Sequence, residues 1–60
     1  MNAERSQPVA RSVTFMRMAA IELRRIAERA PEVANELRHL ANQLDFDADA
    51  LDRDVLGRTG

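Results

Sequence analysis

Asp45, Asp47 and Asp49 stand at alternate positions, the spacing of the first three ligands of a calcium loop. Such loops wrap one hard cation in carboxylate and carbonyl oxygens. The match ends there. Ala50 occupies the position where a glycine makes the sharp turn, and Leu56 stands where a bidentate glutamate should close the shell. Read on a helix, Asp45, Asp49 and Asp52 share one edge of an apolar arc. In an antiparallel hairpin that edge lies near Arg11 and Arg17, so ion pairs between helices are expected in place of a metal. Each exposed pair contributes only about 0–1 kcal/mol, enough to set orientation more than stability.

His39 is the single histidine and falls on the polar side. A general base needs a nucleophile or an orienting acid within reach. There is no Cys, and the two serines, Ser6 and Ser12, both lie near the start of the chain. No catalytic residue, metal ligand or cofactor is therefore assigned, and the chain is not read as an enzyme.

The remaining charge is arginine. All nine basic residues are Arg, a side chain suited to bidentate ion pairs and phosphates. Arg11, Arg17, Arg24, Arg25 and Arg29 populate the polar face of the first half, as a phosphate-contacting stripe or a membrane-surface helix would require. Glu22 and Glu28 dilute that stripe. Residues 1–30 balance at +3 and residues 31–60 at −4, so the second half competes with any polyanion. Nucleic-acid binding is thus the alternative reading. Val13–Arg17 briefly alternates as the strand of a ribbon-helix-helix protein does, but a helical repeat runs straight through it.

That repeat must position everything else. Val9, Val13, Met16, Ala20, Leu23, Ala27, Ala30, Ala34, Leu37, Ala41, Leu44, Ala48, Leu51 and Val55 recur every three or four residues. A period of 3.5 keeps one stripe of a helix apolar, as in a coiled coil or bundle. Ile26, Val33 and Leu40 widen the stripe into an arc broad enough to touch two neighbours. The self-association seam expected from this pattern is Val13, Met16, Ala20, Leu23, Ile26, Ala27, Val33, Leu37, Leu40, Leu44, Leu51 and Val55. Glu22–Ala27 (ELRRIA) recurs as Glu36–Ala41 (ELRHLA), fourteen residues on, so two heptads separate equivalent faces.

Pro31 interrupts the stripe. Inside a helix it removes a backbone bond and clashes one turn back, at about 3 kcal/mol; as a first helical residue it fits. Glu32 then suits the positive end of a new helix. The sequence predicts an all-α antiparallel hairpin, with one long Pro-kinked coiled-coil helix as the alternative. Residues 1–8 are read as a disordered tail, helix one spans about 9–30 with Ser12 as a candidate cap, helix two about 31–56, and 57–60 are read as flexible. Asp47 marks a candidate break in helix two.

Sixty residues bury too little surface for a robust lone core, and small chains add a disulfide, a metal or a second subunit. With no Cys, dimerisation into a four-helix bundle is the expected remedy. Met18, Ile21 and Phe46 fall off the stripe; Met18 and Ile21 mark a candidate surface for a protein client or a further subunit, with Phe46 as a separate anchor. No apolar run approaches the ~20 residues of a membrane span, and the first residues lack a signal peptide's apolar core. Arg- and Ala-rich, Lys-free usage fits a GC-rich bacterial gene and a cytoplasmic protein. The reading is a small non-enzymatic helical protein acting through self-association and protein–protein contact, in the manner of an adaptor, antitoxin or antiactivator.

Overall fold

The structure, a computed structural model, describes the backbone of residues 2–59 and the side chains of residues 8–54. Helix α1 (Asn2–Arg29) and helix α2 (Ala34–Thr59) flank a single 3₁₀ turn, Pro31–Val33. The helices pack antiparallel into a thin rod of 46 × 15 × 9 Å. The chain is an all-α hairpin, and the single kinked helix is excluded.

The turn follows from Pro31. Its ring crowds the preceding residue out of the helical region, and Ala30 sits at φ −131°, ψ 71°. The reversal uses no positive φ among the described residues, which removes the need for a glycine cap. The Ala30 N–H donates to the Ala27 carbonyl at 3.4 Å, and the Val33 N–H to the Ala30 carbonyl at 3.1 Å. The Ala34 N–H then donates to the Pro31 carbonyl, carrying the chain into α2. One non-helical residue and one tight turn thus reverse the chain.

The helix ends differ from the sequence expectation. Helix α1 reaches back to Asn2 and contains Pro8, where the expected tail would have ended. Ser12 is not a cap but lies inside the helix, and its hydroxyl donates to the Pro8 carbonyl at 3.0 Å. Serine makes this bond one turn back as readily as it caps, and the carbonyl it reaches belongs to the proline. Helix α2 passes through Asp45–Asp47 without the candidate break and continues through Gly57 to Thr59.

The buried residues are Val13, Ala20 and Ala27 from α1, and Ala34, Ala41 and Ala48 from α2. They fall at seven-residue intervals, and the count runs unbroken from Ala27 to Ala34 across the turn. These are one heptad position, a, in both helices. Ala20, Ala41 and Ala48 retain no exposed surface. A methyl side chain is short enough to let two helices meet almost backbone to backbone, so the contact line is narrow and tight.

Candidate interaction face

A narrow alanine contact leaves two flanks, and the heptad sorts side chains between them. One flank is charged. Arg17 and Arg24 follow the buried positions of α1 by four residues, and Asp45 and Asp52 do the same in α2, so all four rise on one side of the seam. The Arg17 guanidinium reaches Asp49 at 2.8 Å and Asp52 at 4.0 Å. Arg24 donates to Asp45 and to Asn42, both at 2.8 Å. These groups remain substantially exposed, so each pair contributes about 0–1 kcal/mol; their effect is to hold the two helices in register.

The expected interhelix ion pairs therefore exist, but with one partner changed. Arg17 and Arg24 make them; Arg11, which the sequence had placed beside the acids, makes no salt bridge among the described residues. Arg24 sits 40° round the helix from the buried line, on the same side as Asp45, a placement visible on a helical wheel once the alanines are taken as the centre. Pairing also explains why α2 does not break: Asp45 and Asp49 find cationic partners, and Asp47 accepts from the Gln43 amide one turn back at 3.2 Å.

The five arginines of the candidate phosphate stripe are consequently divided. Arg17 and Arg24 hold carboxylates of α2. Arg25 and Arg29 lie 3.8 and 3.9 Å from Glu22. Arg11 lines a shallow depression with Ala10, Thr14, Phe15 and Met18. His39 is exposed on the outer side of α2. No group of three or more acids, histidines or cysteines is placed to hold a metal among the described residues, and no helix is long and apolar enough to cross a membrane.

The other flank is apolar. Met16, Leu23, Leu37 and Leu44 lie three residues beyond the buried positions and are half-buried. Ile26, Val33 and Leu40 lie further out and are exposed, as is Leu51, which holds the same heptad position as Leu44. The repeat seen in the sequence places matching residues here: Leu23 with Leu37, and Ile26 with Leu40. The expected seam thus splits in two. Its alanines and Val13 close the hairpin, whereas its large side chains line one open face; Val55 belongs to the same stripe, but its side chain lies outside the described residues.

Met18, Ile21 and Phe46 are exposed. Met18 and Ile21 lie on the outside of α1, Phe46 on the outside of α2. Phe15, which is not part of the apolar stripe, is 74% exposed, more than any other large apolar side chain described. It adjoins Met18 one turn away and joins it in the depression beside Arg11.

Neither a scan of family models, nor a search of curated proteins, nor a search of solved structures returned a match for this chain.

Proposed function

We propose that the chain is a non-enzymatic interaction protein that works as a homodimer, two hairpins closing their apolar faces on one another into a four-helix bundle. One observation carries this reading. Among the described residues the hairpin buries five alanines and one valine, while Ile26, Leu23, Leu37, Leu40, Leu44 and Leu51 stand on a single open flank. Covering a leucine or isoleucine contributes about 1.5–3 kcal/mol when burial is complete. Ile26, Val33, Leu40 and Leu51 are exposed, and Met16, Leu23, Leu37 and Leu44 are half open. A second copy offers the same flank, which is how a two-fold interface is built. Bundles of this kind pack their helices around such a shared core.

The biological action then lies on the surfaces that the bundle leaves outside. Phe15 and Met18 on α1 supply apolar anchors one turn apart, the spacing with which a helix engages a protein client. This fits an adaptor, antitoxin or antiactivator more closely than a nucleic-acid binder, because Arg17 and Arg24 already engage carboxylates of α2.

Thermal unfolding followed by circular dichroism at a series of protein concentrations tests the reading. The melting temperature is expected to rise as concentration rises, since association stabilises by mass action. A melting temperature independent of concentration from the micromolar to the millimolar range would remove the dimer.

A further inference from the structure

We infer, on the dimer proposed above, that Asp47 sets the strength of self-association and couples it to pH. Val33, Leu40 and Asp47 follow one another at seven-residue intervals along the outer line of the apolar flank. Asp47 comes three residues after Leu44 and four before Leu51, so it shares a helix face with both. An acid thus stands among leucines on the face that a second copy would cover.

No described cation stands beside it. In the hairpin Asp47 is exposed and accepts one hydrogen bond, from the Gln43 amide at 3.2 Å. It makes no salt bridge among the described residues. Across the flank, α1 presents Phe15, Met16 and Ala19 near its level, none of them charged. Nearer the turn the flank is bordered by Glu22 and Arg29 on α1 and by Glu36 on α2; Asp54 lies seven residues further along α2. Arg29 is the one cation in this set. It stands 3.9 Å from Glu22, and at 1.5 Å per residue its level is about 20 Å from Asp47. Arg17, Arg24 and Arg38 belong to the charged flank. Arg11 and Arg25 lie outside α1, His39 and Arg53 outside α2. A second copy presents the same face. Whichever way round it lies along the rod, its Arg29 stays at the turn end, whereas Asp47 stays near the middle of the 46 Å length.

Closing the face takes water from the carboxylate and leaves the Gln43 amide to stabilise its charge. An ionised carboxylate without a cation is costly to bury, and a neutral acid much less so. The dimer therefore takes up protons as it forms, up to one at each copy of Asp47. A state that gains protons is favoured as pH falls and loses ground as pH rises.

Sedimentation equilibrium of the full chain, Asp47→Asn and Asp47→Leu, at about pH 7 and about pH 5, reads both parts, with circular dichroism confirming that each protein is helical. The dissociation constant of the parent is expected to fall about tenfold between the two conditions. Asp47→Asn is expected to associate about tenfold more tightly than the parent at neutral pH and to respond little to acid, and Asp47→Leu to associate more tightly still. Histidine charges in the same range, but His39 is kept in both variants, so a pH response that survives Asp47→Asn overturns the proton link. A dimer whose strength neither substitution changes overturns the role of Asp47 and leaves the dimer standing. Single-chain mass for the parent, with Asp47→Leu pairing, supports the role of Asp47 and removes the native dimer. Single-chain mass for all three proteins in both conditions overturns both.

Discussion

Ala41→Leu is expected to open the hairpin, lowering its stability by about 2–3 kcal/mol. On an isolated helix the exchange would be nearly neutral, because leucine ranks just below alanine in helix propensity. Ala41 has no exposed surface and faces α1 at the closest approach of the two helices. Three further carbons cannot be accommodated there without pushing the helices apart. That separation loses the contacts of Ala20, Ala27 and Ala34 together and pulls Arg24 from Asp45. For a domain of this size a loss of this order moves the melting temperature by about 10 °C or more. Ala50→Leu, on the exposed outer side of α2, should change stability by less than about 0.5 kcal/mol. Comparison of the two variants by thermal melting checks this; equal effects would mean that the alanine line is not where the helices meet.

Leu40→Asp should produce the second large effect, on association in place of folding. Leu40 is 53% exposed in the hairpin, so an aspartate there still reaches water in a single copy. In the bundle the same carboxylate would be carried into an apolar interface with no partner, and symmetry doubles the burden. A buried unpaired charge is among the few changes that exceed several kcal/mol, so the dissociation constant is expected to rise by about a thousandfold, a loss of roughly 4 kcal/mol. Phe46→Ala, on the outside of α2, should leave association unchanged within about twofold. Sedimentation velocity over a concentration series reads both. A Leu40→Asp protein that still dimerised like the parent would show that this flank is not the interface.

The two expectations separate properties that a sequence stripe merges. A 3.5-residue period states that one side of a helix avoids water, but not which neighbour covers it. Val13, Ala20, Ala27, Ala34, Ala41 and Ala48 all stand in the sequence stripe, but Ala34, Ala41 and Ala48 are not among the residues expected at the seam. In the fold they are its centre, because helices approach most closely where side chains are smallest. The leucines are thereby displaced to the flank, and what reads as one core becomes a contact line and an open face.

Pro31 was the most legible single residue, since its ring acts on its own backbone and on Ala30 wherever the chain goes. Ser12 was the least, because one hydroxyl serves a helix start or a helix interior equally well, and the deciding carbonyl lies four residues back. The pairing of Arg24 with Asp45 needed the register of the hairpin, which local spacing does not contain. Arg11 lies nearly opposite the alanine line, too far round the helix to reach the acids once that line is known. The contribution of Phe15 was likewise hidden: its exposure depends on which side of the arc faces α2.

The central claim is that the open leucine flank is covered by a second copy. Sedimentation equilibrium of the unmodified chain, at micromolar concentration and physiological salt, measures this directly. The predicted result is a molar mass twice that of the 6.8 kDa chain, with no larger species. A folded, helical protein sedimenting at the mass of one chain over the whole concentration range would contradict it.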